Sequence, residues 1–215
     1  MNVPPEVFQR QIEQLAAGGW RTMSLADLVQ GVQPTRRSIV ITFDDGYQDF
    51  ADTAWPILQS HGMKAVCFVV PTQVGGENLW DGGGTPLMSV QTLARLAHEG
   101  VELGLHGWTH EDWNEMPEDT VRDLLSRGER WFADHDLPLT PAFAYPGGKF
   151  PRRQPHQDGL ARAFEASSML GAFRIGSATT RVPIKHPWAM CRVPIEGRDG
   201  PLKLAVKLRF GRIRF

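Results

Sequence analysis

Apolar positions in this chain switch repeatedly between a helical and a strand period. Phe8, Ile12, Leu15 and Ala16 recur at helical spacing after Pro5 and stop at Gly18-Gly19, which predicts a helix over 5–17. Ser24-Leu25-Ala26-Asp27 has the form of a capping box and predicts a second, short helix. Residues 38–43 are a β-branched apolar run of strand length that ends in Asp44-Asp45-Gly46. The same unit then recurs without sequence repetition. Helical stripes at Phe50/Ala54/Ile57/Leu58, Leu93/Leu96/Ala97, Val121/Leu125/Phe132 and Leu160/Ala163/Phe164 precede strand-like runs at 64–70, 101–105, 142–145 and 172–175. Such alternation folds as a parallel α/β sheet or barrel, whose chemistry sits on loops at the C-terminal ends of strands. No linker divides the chain, so 1–215 reads as one domain with a helical lead-in over 5–31.

Composition narrows the function classes. Lys plus Arg (23) balance Asp plus Glu (24), giving net charge −1, so bulk attraction to nucleic acid is absent and no nucleic-acid partner is expected. The longest apolar runs, such as 66–71, are far shorter than the roughly 18 residues of a membrane span. The start carries no basic stretch followed by an apolar segment, so the expectation is a cytoplasmic protein, or one associated with the envelope if this start is truncated. Cys67 and Cys191 sit in apolar runs and read as buried thiols. The segment 202–215 has five basic residues and no acid. It could pack its apolar side on the domain or make weak contact with an anionic membrane surface.

Three polar groups fall at predicted strand ends. His106-Gly107-Trp108-Thr109-His110 places two imidazoles four apart, where a helical turn would aim both at one point. They could share a metal, although a solvated loop gives the same pattern by chance. Asp44-Asp45 are adjacent carboxylates at a strand end, which need a cation or separate tasks. A metal held by one Asp and two His leaves positions open for water and a carbonyl, and the other Asp is then free to take a proton from the water. The third group is Tyr145-Pro146-Gly147-Gly148. A long glycine-rich loop over 75–84 carries Trp80-Asp81 as a rim element.

Thr42-Phe43-Asp44-Asp45-Gly46 and His106-Gly107-Trp108-Thr109-His110 resemble the first two motifs of the polysaccharide deacetylases, the NodB-homology group of carbohydrate esterases (family 4). Ala144-Tyr145-Pro146-Gly147-Gly148 resembles the third, in the form common among exopolysaccharide deacetylases. The resemblance implies an α/β fold of the distorted (β/α)7-barrel type in a single domain, and metal-dependent hydrolysis of N-acetyl groups from N-acetylhexosamine units of a bacterial surface glycan. By position it implies Asp44 as general base, Asp45, His106 and His110 as metal ligands, and the backbone N–H of Tyr145 as oxyanion donor. Two imidazoles and a carboxylate suit one zinc ion, with cobalt or nickel as alternatives. The general acid of the family has no clear match. His186 lies in the right part of the chain and is the candidate, while His61, His98 and His135 sit late in helices where the dipole accounts for them. Trp80, Trp108 and Trp113 lie on predicted loops and could stack on sugar rings; core anchoring is the other use of each.

The sequence departs from the family at two places. Ala144 replaces an Arg that pairs with the base, so another group must orient Asp44. Gly107 replaces a Ser or Thr, removing a local hydrogen bond. Two other functions therefore stay open: a sugar or lipid-intermediate deformylase on the same scaffold, and a catalytically inactive glycan-binding barrel.

Overall fold

Helices and strands follow one another as the apolar periods require. The computed structural model describes residues 3–80, 82–176, 178–180 and 182–211. Helix α1 (Pro5–Ala17) has proline in its first turn and buries Ile12 and Leu15. β1 (Arg21–Thr22), α2 (Leu25–Val29) and β2 (Ser38–Ile39) follow, and β1 and β2 form a small parallel ladder. Six strands then make one curled parallel sheet in chain order: β3 (Thr42–Phe43), β4 (Val66–Val69), β5 (Glu102–Leu105), β6 (Leu139–Ala144), β7 (Gly171–Ile175) and β8 (Met190–Arg192). The crossovers carry α3 (Trp55–Ser60), entered through a π-helical turn at Phe50–Ala54, then α4 (Val90–His98), α5 (Glu118–Asp134) and α6 (Gln154–Glu165). β7 and β8 are joined by the short 3-10 turn Pro187–Ala189, and α7 (Pro201–Phe210) follows β8.

Strand periodicity divides the core in two. Val66, Phe68, Ala142, Ala144, Phe173 and Met190 point inside the curl, while residues such as Cys67, Leu103, Leu105 and Phe143 pack with the helices. The interior is narrow: a Cβ on Gly104 would lie 2.5 Å from the Phe68 ring. Leu25, fully buried, belongs to this inner cluster. Its N–H and that of Ala26 donate to the Glu102 carboxylate at 2.8 Å each, so the first residue of β5 caps α2. The lead-in is thus part of the barrel, with α2 plugging the N-terminal mouth. At Ser24 one half of the capping box forms, its Oγ accepting from the Asp27 N–H at 3.2 Å.

The structure departs from the sequence-based expectation in one place. The run 38–43 is not one strand, because Ser38–Ile39 pairs with β1 and Thr42–Phe43 pairs with β4, the chain stepping between sheets at 40–41. Among the described residues the curled sheet has six strands with β3 and β8 at its edges, in keeping with the barrel-type fold that the sequence implies. The basic C-terminal segment forms a helix through 201–210 that docks through Leu204 and a buried Lys207. Lys207 Nζ donates to Asp199 Oδ2 at 2.5 Å and to the Pro194 carbonyl at 2.8 Å. Packing therefore accounts for one face of this segment, while Leu202 and Phe210 are exposed. Residues 212–215 and Asp81 lie outside the described residues. Among the described residues no helix is long and apolar enough to cross a membrane.

Candidate metal centre and catalytic site

Asp44 and Asp45 follow β3, and His106 follows β5, so the three meet at the C-terminal end of the sheet. Asp45 Oδ1 stands 3.2 Å from His106 Nε2 and 3.4 Å from His110 Nε2. His106 is buried, and its Nδ1 lies 2.7 Å from the Ala144 carbonyl. A carbonyl only accepts, so Nδ1 carries a proton, and in the neutral tautomer Nε2 turns its lone pair toward Asp45. Two acceptors facing each other repel unless a cation lies between them. Asp45 Oδ1 is buried without a hydrogen-bond partner among the described residues, which fits that requirement. Donor atoms about 2.0–2.1 Å from a tetrahedral ion stand about 3.3 Å apart, close to the spacing observed. The residues therefore fit a divalent cation such as zinc. Burial opposes protonation of His106, yet Asp44 and Asp45 outweigh it and raise its pKa, a field that also favours a bound cation.

The ligand loop is not a helical turn. Gly107 and His110 both have left-handed backbones (φ 75° and 67°), as has Asp45 (φ 73°). Glu111 makes this shape possible: its carboxylate accepts from the N–H groups of Trp108 (3.0 Å) and Thr109 (2.6 Å), the Thr109 hydroxyl (2.8 Å) and Trp113 Nε1 (3.2 Å). Glu111 thus supplies the local hydrogen bonds lost with a Ser or Thr at position 107. Glycine there suits the positive φ and leaves room for Pro146, which a Cβ would approach to 3.1 Å.

Arg192, at the end of β8, is the functional residue that the sequence reading missed. Its two terminal nitrogens grip Asp44 Oδ1 at 2.6 Å and Oδ2 at 2.8 Å, and Nη1 also donates to Thr42 Oγ1 at 3.1 Å. It takes the place of the missing Arg at position 144 from the opposite end of the chain, and it bridges the two free edges of the sheet. Burial would raise the Asp44 carboxyl, but Arg192, with His106 beside it, holds it below the usual carboxylate range.

Other expected site residues sit elsewhere. Trp113 is a core residue, 1% exposed and packed on Phe143 at 4.5 Å, because its indole turns beneath the loop to reach Glu111. Tyr145 offers neither ring nor amide to a ligand: its N–H donates to the Phe173 carbonyl (2.9 Å), extending the β6–β7 ladder, and its buried hydroxyl donates to the Trp188 carbonyl (2.8 Å). In the turn that follows, Gly147 N–H has no acceptor among the described residues. His186 is exposed and precedes β8, and the adjacent Pro187 lines a depression with Leu28 and Leu170 at the N-terminal end of the sheet. The structure does not bring His186 to the Asp–His cluster. Trp108 is half-buried on the ligand loop, and Trp80 stacks on His110 with ring centroids 4.3 Å apart. Cys67 is buried, which pushes its thiol well up, and Cys191 is half-buried; both are free.

Comparison with known proteins places this arrangement. The family model described as polysaccharide deacetylase matches residues 31–158, more than half of the chain, including both ligand loops and the turn at 144–148. YxkH of Bacillus subtilis (strain 168), named for the same family, is 23% identical over 154 residues, 70% of this chain; the chain spans about half, 52%, of that relative's length. Among solved structures, the Streptococcus pyogenes deacetylase PplD, in complex with acetate, superposes with TM-score 0.80 at 18% identity, covering 97% of this chain and 89% of PplD. IcaB from Ammonifex degensii gives 0.77 at 22% identity over 95% and 89% of the two chains. These likenesses establish the fold. The family match carries the paired aspartates and both histidines, and on that ground this chain belongs to the polysaccharide deacetylase family.

Proposed function

We propose that the chain is a divalent-metal-dependent N-deacetylase acting on N-acetylhexosamine units of a bacterial surface or exopolysaccharide glycan. One observation carries the reading: Asp44, gripped on both oxygens by Arg192, stands beside three converging ligand atoms without being one of them. An inactive barrel has no physical need for a carboxylate so held. A divalent cation held by Asp45, His106 and His110 would polarise the amide carbonyl and ease deprotonation of water. Asp44, kept ionised and oriented by Arg192, takes that proton as general base. Gly147 N–H is available to the developing oxyanion, in place of Tyr145, whose amide is already committed. The departing nitrogen needs a proton, and Asp44 has one to return, whereas His186 lies toward the other end of the sheet. Trp108 is the aromatic face best placed for a sugar ring.

Acetate release from N-acetylglucosamine oligomers, assayed with zinc and after chelation, tests the reading. His110→Ala should lose metal and activity together, and Asp44→Asn should keep metal while losing most turnover. Full metal occupancy in the former, or metal loss in the latter, would refute the division of roles. His186→Ala should keep wild-type turnover; a large fall in kcat at unchanged KM would restore it as the acid. Faster release of formate than of acetate from matched sugars would favour the deformylase.

A further inference from the structure

Residues 75–80 and 82–88 belong to an arm that reaches both ligand loops. Its returning limb pairs with the residues directly after Asp45: Met88 N–H donates to the Gly46 carbonyl (2.9 Å), Gln48 N–H donates to the Pro86 carbonyl (3.0 Å), and Tyr47 bridges Leu87 in antiparallel fashion. Internal bonds close the arm on itself, from Gly75 N–H to the Met88 carbonyl (2.9 Å), from Leu87 N–H to the Gly76 carbonyl (2.9 Å) and from Asn78 N–H to the Thr85 carbonyl (3.0 Å). Asn78, buried, adds a side-chain tie, its Nδ2 donating to the Tyr47 hydroxyl at 3.2 Å and its Oδ1 accepting from Thr85 N–H at 3.1 Å. Two residues further on, Trp80 lies flat on His110, with planes 15° apart and centroids 4.3 Å apart. The indole Nε1 is buried without a hydrogen-bond partner among the described residues, so stacking, not a hydrogen bond, seats the ring. The arm is therefore fixed at one end to the loop of one ligand, Asp45, and pressed at the other end on the ring of a second, His110.

We infer that this arm is a strut for the metal centre and that Trp80 is a positioning residue, which holds the His110 imidazole in register with Asp45 and so sets metal affinity rather than gripping the sugar. This rests on the metal-site reading above. The imidazole on which the arm presses is that of His110. It sits on an irregular loop with a left-handed backbone, whereas His106 is buried and fixed by the Ala144 carbonyl. A flat aromatic neighbour restricts rotation of the imidazole about its bond to the chain without competing for either ring nitrogen.

Zinc affinity, measured by competition with a chromophoric chelator on the full chain and without any substrate, tests the proposal. Trp80→Ala and Trp80→Leu should bind zinc about tenfold or more weakly, the range expected for loss of a group that orients a ligand. Trp80→Phe, which keeps an aromatic face, should stay within about threefold of wild type. Melting of the metal-free proteins checks that all variants fold, and zinc should change the tryptophan emission of wild type by an increment that Trp80→Phe lacks. Wild-type affinity in Trp80→Ala, or equal affinity in the Leu and Phe variants, would overturn the proposal. Unchanged affinity with a raised KM for the oligomer would overturn it in favour of sugar stacking. Failure of the wild-type chain to take up zinc would instead refute the metal site itself.

Discussion

Asp44 and Asp45 are chain neighbours, and what separates them is their partners. Asp45, in a left-handed backbone, turns an oxygen toward two imidazole nitrogens, while both oxygens of Asp44 are taken by Arg192. A bidentate guanidinium fixes the plane of a carboxylate as well as its charge, and an ammonium cannot do so. Arg192→Lys should therefore retain metal but lose about tenfold in kcat, and Arg192→Met about a hundredfold, since misplacing a reacting group by about 1 Å costs that much. Metal analysis beside steady-state kinetics checks this. Loss of metal in Arg192→Met would show that the residue holds the cluster and not the base. The Asp–His cluster was legible in the sequence because each motif is contiguous and ends an apolar strand. Arg192 was not, because 148 positions separate it from Asp44 and its strand is only three residues long. Tyr145 and Trp113 were misread for a related reason. Sequence places a residue after a strand but does not say whether the ladder runs one residue further, nor which way an indole turns.

At the scale of elements, periodicity located the crossover helices and most strands, since each buries a stripe long enough to carry a period. It failed where packing overrides local pattern. The run 38–43 reads as one strand, yet it serves two sheets, and α7 has little amphipathic signal because one of its two buried positions is Lys207. That lysine is held by Asp199, whose carboxylate burial would raise but which Lys203 and Lys207 hold below its ordinary pKa. Asp199→Asn leaves a buried ammonium without its counter-charge and should cost about 3 kcal/mol. Because the folded-state pKa is depressed, the contribution is fully present above the unfolded value of about 3.9 and is lost as pH falls through the lower folded value. Urea titrations should show the gap between wild type and variant narrowing below about pH 4. A gap that is constant down to pH 2 would mean that shape, not charge, docks α7. The inner core gives a complementary test. Gly104→Ala forces a methyl group to 2.5 Å from the Phe68 ring and 3.0 Å from the Ala142 carbonyl, so overpacking should cost about 1–3 kcal/mol, read as a lowered Tm.

For the molecule as a whole, the sheet is a curl whose first and last strands carry no ladder between them among the described residues. At its N-terminal mouth α2 inserts Leu25, and at its C-terminal end one side chain crosses the seam from β8 to β3. That crossing also has a consequence in time. The family match ends at residue 158, so a nascent chain that has emerged to that point holds both aspartates and both histidines but not Arg192. At about 5–20 residues per second, the 148 positions from Asp44 to Arg192 take about 7–30 s to synthesise. Throughout that interval Asp44 lacks the Arg192 guanidinium. On the proposed reading, full turnover is therefore acquired as a late event of biogenesis, when β8 docks, and a ribosome-bound intermediate able to gather its ligands would work about a hundredfold more slowly than the finished chain.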